Sequence, residues 1–346
     1  MKFAMKRRVF LGVATAGGAA VVVLRRPEAA SAINLYSSRH YQTDNALYER
    51  FTAATGIKIN RIEAEGDPLI ERLRAEGDKS PCDVFLSVDA GRIDRAREAG
   101  VLQAIRSPII DAAVPAHLRD PDGHWFGFSK RARVIMVARD RIGGDRPSSY
   151  EDLADPKWKG RVLSRSSANI YSQSLTGSVL AAHGPERAEA WCRGLAANFA
   201  RSPRGGDTDQ IRAVAAGEAD ICLANTYYLV NLLRSKKSED NAVAAKIAVV
   251  FPNQADRGTH TNISGGGVAR HAPNREGAVR FLEYLVSADA QRYFADGNSE
   301  YPVTSGVQPS AELSAWGAFR EDRLNAATYA RNNAEALRVM DRAGWK

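Results

Sequence analysis

The sequence predicts an α/β protein of two domains, with parallel strands connected through helices. Three observations carry this. A chain of 346 residues is long for one hydrophobic core and comfortable for two. Short apolar strands alternate with amphipathic helices that end at glycine, the pattern of βαβ units with right-handed crossovers. No repeat or low-complexity linker interrupts the chain after residue 32, so strands crossing a hinge are expected to join the domains, not a flexible tether.

Ile33-Asn34-Leu35-Tyr36-Ser37 alternates apolar and polar residues and begins the first strand. A helix starting near Thr43 or Asp44 carries Leu47, Tyr48 and Phe51 on one face and stops at Gly56, before a strand over 57–62. His40 and Tyr41 therefore fall at the carboxyl end of the first strand, where open α/β sheets bind ligands. Leu69, Ile70 and Leu73 mark a short helix ending at Gly77, residues 83–88 form a buried strand, and a helix closed by Gly100 follows. Pro108, Pro115 and Pro121 break the next stretch. Two extended segments, 125–129 and 134–137, enclose Lys130, Arg131 and Arg133 and could cross between domains.

A second α/β pattern opens at 147–153, where Ser149 and Asp152 have capping-box spacing. A strand over 161–164 leads to Ser166-Ser167-Ala168-Asn169, the start of a helix that carries Tyr171. A helix over 210–216 closes at Gly217, and a buried strand over 220–225 delivers Tyr227 and Tyr228. A strand over 246–252 follows, then an extended stretch over 260–268 containing Gly265-Gly266-Gly267. One helix with Val279, Leu282, Leu285 and Phe294 on its apolar face comes next, and two or more short helices complete the chain.

The net charge of +8 and pI near 9.4 raise the question of nucleic acid. Within residues 1–32, however, Lys2, Lys6, Arg7, Arg8, Arg25 and Arg26 stand against Glu28 alone, which is +5 and leaves +3 for the rest. No basic run with interleaved aromatics remains, so a nucleic-acid partner is not expected. The same 32 residues read as an export signal. Lys6-Arg7-Arg8-Val9-Phe10-Leu11-Gly12 has the twin-arginine pattern, an apolar stretch runs to Leu24, and Ala30-Ser31-Ala32 fits a small-x-small cleavage site. The expected location is the periplasm, with a membrane tether as the alternative were the signal left uncleaved. Cys82, Cys192 and Cys222 lack metal-site spacing; Cys82 and Cys222 lie in or beside apolar runs and read as buried small hydrophobes, and a Cys192 to Cys222 bridge is left open.

The adjacent Tyr227 and Tyr228 admit two readings. One ring packs in the core and the other covers a neighbouring surface, the ordinary fate of aromatics near strands. Alternatively, both phenol oxygens meet a hard cation together with tyrosines and a histidine from elsewhere.

A resemblance decides between them. Leu35-Tyr36-Ser37-Ser38-Arg39-His40-Tyr41, Trp125-Phe126-Gly127-Phe128-Ser129-Lys130-Arg131-Ala132-Arg133, Pro156-Lys157-Trp158-Lys159-Gly160, Arg165-Ser166-Ser167-Ala168-Asn169-Ile170-Tyr171, Leu223-Ala224-Asn225-Thr226-Tyr227-Tyr228 and Ile263-Ser264-Gly265-Gly266-Gly267 resemble the iron-binding periplasmic proteins of ferric-ion ABC importers, most closely the FutA group. The resemblance spans nearly the whole chain after the signal. It implies a bilobal, type II Venus-flytrap fold, with one lobe from 33–132 plus 256–305 and the other from 133–255 plus 306–346. It implies Tyr41, Tyr171, Tyr227 and Tyr228 as phenolate ligands, His40 as a fifth ligand, and Arg131 near the site; on charge grounds Arg133, two residues on, is a second candidate guanidinium. A monomer that delivers Fe(III) to an ABC permease of the inner membrane is the expected assembly, with Fe(II) binding left open.

The chemistry agrees. Fe(III) is small, hard and highly charged, and it prefers anionic oxygen to thiolate. Free tyrosine ionises near pH 10, so phenolate ligation at neutral pH requires the metal to displace a proton. Four phenolates leave the site at −1, which a neighbouring guanidinium would offset. The same anionic shell favours Fe(III) over Fe(II), so reduction would loosen the grip. An enzyme is not expected, since no nucleophile elbow, HExxH, phosphate loop or two-His-one-carboxylate set is present. The competing function is a binding protein of the same fold for a polyamine or oxyanion, with the tyrosines merely lining the pocket. Glu63 or Glu65 could add a carboxylate. His124, His260, Tyr36 and Tyr48 read as structural.

Overall fold

The computed structural model describes residues 32–346 except His40 and Gln42. The expected export signal lies outside the described residues apart from Ala32, and so does His40. Among the described residues no helix is long and apolar enough to cross a membrane.

The first half of the chain runs β1 (Ala32–Ser37), α1 (Asp44–Thr55), β2 (Lys58–Glu63), α2 (Gly66–Glu76), β3 (Val84–Val88), α3 (Ala90–Glu98), α4 (Pro108–Ala113) and β4 (Phe126–Ala138). It continues with β5 (Val162–Leu163), α5 (Ile170–Ala197), α6 (Asp207–Ala216), β6 (Ile221–Asn225), α7 (Thr226–Leu233), α8 (Ser238–Ala245) and β7 (Ile247–Val250). β8 (Thr261–Val268), α9 (Arg275–Leu285), α10 (Ala288–Asn298), β9 (Tyr301–Pro302), α11 (Ala311–Ala315), α12 (Ala326–Arg331) and α13 (Asn333–Arg342) complete it. Glycines in the left-handed conformation end α1 at Gly56 and α6 at Gly217, as the sequence predicts. The Ser149 and Asp152 pair is a reciprocal cap: the Asp152 carboxylate accepts the Ser149 N–H and the Ser149 hydroxyl accepts the Asp152 N–H.

The strands follow the order β2-β1-β3-β8-β4-β6-β5, with β7 and β9 also paired to β4. β1 lies parallel to β2 and β3, whereas β8 is antiparallel to both β3 and β4. The segments expected on either side of Arg131 and Arg133 are one continuous strand. β4 changes partners along its length, pairing with β8 from Phe126 to Ala132 and with β6 from Arg133 to Val137. Both arginines therefore sit at the handover between the two halves of the sheet.

The core follows this division. Ile33, Leu35, Phe51, Phe85, Trp125, Phe126 and Phe281 belong to one apolar cluster around β1, β3 and β8. Beyond the handover, β4 is buried on both faces: Ile135 and Val137 pack with Trp158, Trp191 and Trp345, and Val134 and Met136 pack with Ile211, Leu229 and Val230. Period-two alternation in a strand covered on both sides produces this, and each fully buried side chain of this size contributes about 1.5–3 kcal/mol. The helix expected from Val279 to Phe294 is two helices. Ser287 takes an extended conformation and its hydroxyl accepts the Ala290 N–H, which starts α10. All three cysteines are buried and free, so no Cys192 to Cys222 bridge forms.

Gly266 sits where the sheet leaves no space. A Cβ there would lie 1.9 Å from the Phe85 carbonyl oxygen of the neighbouring strand. Gly266→Ala is expected to destabilise the protein by about 3 kcal/mol, the upper end of overpacking costs, read as a lowered urea midpoint.

Candidate metal centre

The candidate tyrosines reach one place from three elements. Tyr41 lies in the connection between β1 and α1, Tyr171 in the first turn of α5, and Tyr227 and Tyr228 in the first turn of α7. The sequence reading left the last pair at a strand end. Instead β6 stops at Asn225 and α7 begins at Thr226, where buried Thr226, Leu229 and Val230 recur at helical spacing. Local order is set by caps as well: the Asn169 side chain accepts the Tyr171 N–H and starts α5. Two helix N-termini thus carry three of the four phenols, and their dipoles favour negative charge there.

The Tyr171 and Tyr227 oxygens are 3.4 Å apart. The Tyr41 and Tyr227 rings meet edge to face at 5.9 Å, and those of Tyr227 and Tyr228 lie 4.2 Å apart. Tyr171 and Tyr227 are buried, while Tyr41 and Tyr228 are half-buried. A cleft of about 440 Å³ opens beside them, lined in part by Ser38, Arg92, Arg165, Tyr171 and Tyr228. Glu63 and Glu65 line the same cleft, but Glu63 pairs with Arg61 at 3.2 Å and the Glu65 side chain is 82% exposed. Burial raises the Tyr41 and Tyr227 phenols well above their ordinary value; Glu300 adds to this at Tyr41, as do the neighbouring tyrosines at Tyr227. Tyr228 is also raised, first by burial. These phenols are therefore protonated at neutral pH and yield their protons only to a strongly charged competitor.

Arg131 and Arg133 both face the Tyr171 ring, at 5.5 and 5.8 Å. Each already has a carboxylate beside it. The Arg131 Nη1 donates to Ser264 at 3.0 Å and lies 3.8 Å from Glu300. Arg133 donates to Asp207 at 2.5 Å. Sequence reasoning missed these carboxylates, and also Arg165, whose guanidinium lies 5.3 Å over Tyr171, and Arg39, which lies 4.8 Å over Tyr41. The run Arg165 to Tyr171 contained a usable signal for Arg165. Glu300 and Asp207 follow no periodicity that marks them as buried.

The residues read as structural are so placed. His260 is buried against Tyr329, and burial followed by Arg257, Arg133 and Arg131 pushes its pKa down to about 3, so it is neutral. His124 bonds Asp120 at 2.8 Å. Tyr36 donates to Glu76, and Tyr48 packs on Phe281.

An open α/β sheet in two halves, with phenols converging at strand ends and helix starts, defines a two-lobed solute-binding protein. The bacterial extracellular solute-binding protein family matches residues 79–318, and the chain belongs to it. It is 49% identical to iron uptake protein A1 of Synechocystis sp., over 99% of both chains. A solved Trichodesmium FutA (IdiA) structure in complex with iron and citrate has a TM-score of 0.89 and 57% identity, covering 91% of this chain and 100% of that one. The ferric binding protein from Campylobacter jejuni has a TM-score of 0.85 and 38% identity, covering 91% and 100%. The fold is thus the bilobal type II form, and the chain is of the FutA type among the ferric-iron binders.

Proposed function

We propose that this chain is the periplasmic binding component of a ferric iron ABC importer, which captures Fe(III) between its lobes and hands it to a membrane permease. The observation that carries the reading is the convergence of Tyr41, Tyr171, Tyr227 and Tyr228, with two of the phenol oxygens 3.4 Å apart. The relatives named for iron uptake and ferric binding support it. Fe(III) is the cargo, and the four phenols are its ligands, each as phenolate. The excess negative charge of four phenolates is offset by the three guanidiniums around Tyr171. His40 is the proposed fifth ligand. The proposed lobes are 33–132 plus 256–305 and 133–255 plus 306–346; the separate apolar clusters on either side of the β4 handover support the division there, while Ala326, Ala327, Tyr329 and Ala330 of α12 pack with the cluster around β1, β3 and β8. The lobes close on the ion by bending at the strands that cross between them. Export by the twin-arginine route and action as a monomer complete the proposal. A polyamine is a poor fit to a cleft with arginines around its aromatic floor.

Addition of ferric citrate to the purified protein is expected to produce a visible phenolate-to-Fe(III) charge-transfer band that dithionite bleaches. A colourless protein after loading would overturn the proposal.

A further inference from the structure

Asp89 links β3 to α3 with a backbone that residues bearing a side chain rarely adopt, φ +81° and ψ 123°. It is fully buried, and bonds on every side hold it. Its N–H donates to the Ile263 carbonyl oxygen at 2.9 Å, and its own carbonyl oxygen accepts the Arg92 and Ile93 N–H groups. One carboxylate oxygen accepts the Gly91 N–H at 2.8 Å, which caps α3, and the other accepts the Asn262 side-chain amide at 2.8 Å. The first oxygen takes one more bond, from the Ser174 hydroxyl at 2.7 Å. Ser174 is equally buried, and it stands on α5, in the other proposed lobe.

Tyr171 and Ser174 are three positions apart in α5 and so share one face of the helix. That face presents a phenol to the tyrosine cluster and, one turn later, a hydroxyl to the opposite lobe. A second close approach follows in the next turn. A Cβ at Gly177 would lie 2.5 Å from the Tyr329 carbonyl oxygen, and Tyr329 packs in the apolar cluster around β1, β3 and β8. We infer that Ser174, anchored by Asp89, is a positioning residue for Tyr171: it fixes the rotation and height of the first turns of α5 across the lobe boundary, so that the phenol stands beside Tyr227 before the ion arrives. The inference rests on the proposed role of Tyr171 as a ferric ligand. Neither Ser174 nor Asp89 is a proposed ligand, and ligation takes no proton from the bond between them, so the contact serves the metal-free and the loaded protein alike. A strained backbone persists only where its surroundings over-determine it, which makes Asp89 a stiff anchor. The cost of ordering this end of α5 is then met in folding instead of in binding.

Ser174→Ala tests this, because it removes the bond and leaves every charge near the phenols in place. The Asp89 oxygen that loses Ser174 keeps the Gly91 N–H, so α3 stays capped. Ferric affinity, measured by competition with citrate, is expected to fall about 10-fold, the scale of one hydrogen bond to a charged group. In the Tyr171→Phe protein the same change is expected to alter affinity by less than about twofold, because no phenol is left to position. The charge-transfer band of Ser174→Ala is expected to move toward that of Tyr171→Phe, a change that loss of stability elsewhere would not produce. Ser178→Ala is the control: Ser178 is as buried on the same helix, but its hydroxyl donates within α5, to Leu175 at 2.9 Å, and affinity is expected to stay within about twofold. Equal losses in both Tyr171 backgrounds, an unmoved band, or a loss from Ser178→Ala as large as that from Ser174→Ala would overturn the inference. If the unaltered protein gives no band at all, the ferric reading fails and this inference falls with it. A band with additive losses leaves the ferric reading standing and removes the role of Ser174.

Discussion

Tyr227→Phe and Tyr228→Phe are each expected to weaken Fe(III) binding by more than about 100-fold, the upper end of what changes around a metal ligand cost without removing the ligand itself. Each substitution keeps the ring, and with it the packing of the two rings 4.2 Å apart, while it deletes one anionic oxygen from the proposed shell. The effect therefore separates ligation from packing, the two readings the pair allowed at the outset. Tyr36→Phe is the control. Its phenol is spent on Glu76, away from the cleft, so affinity is expected to change by no more than about twofold, as for independent sites. Competition against citrate across the three variants checks this. Equal affinities would show that the pair only packs.

Acid is expected to release the ion steeply. In the metal-free protein, burial raises the phenols of Tyr41, Tyr227 and Tyr228 above their ordinary value, so each carries its proton throughout the neutral range. Binding as phenolate must expel those protons. Affinity therefore rises with pH and falls as protons become abundant, and these three residues alone contribute a slope of about three in log affinity per pH unit. Because the shifts are upward, the dependence continues without a plateau up to the ordinary phenol range near pH 10. Titration between pH 5 and about pH 8, corrected for the protons taken up by the competing chelator, measures the slope. A flat profile would contradict phenolate ligation at these residues.

The two largest effects involve residues that the sequence exposed. Local pattern put Tyr41 at a strand end, Tyr171 in a capped helix start and the Tyr227 and Tyr228 pair after an apolar strand, and the resemblance to the ferric-iron binders joined the four as one ligand set. Their surroundings were not legible in the same way. Glu300 lies 259 residues from Tyr41 in the chain, and Asp207 lies 74 from Arg133. A polar residue in a turn has no period to betray its burial, and carboxylates are seldom buried unless paired, so neither carries a local mark of its place.

Local patterning by itself determined the alternation of strands and helices, the glycine stops after α1 and α6, and the reciprocal cap at Ser149 and Asp152, whereas the phenols were singled out by a resemblance that spans the chain. These features depend on neighbours a few residues apart, which period and cap chemistry encode directly. Only the tertiary structure decided that β4 is one strand changing partners between Ala132 and Arg133, that α7 begins at the tyrosines, and that two buried carboxylates, Glu300 and Asp207, meet the guanidiniums beside the phenols. Those facts depend on which distant segments share a sheet. A buried charge is tolerated only where the fold brings its partner to it, and no local pattern in the chain records that meeting.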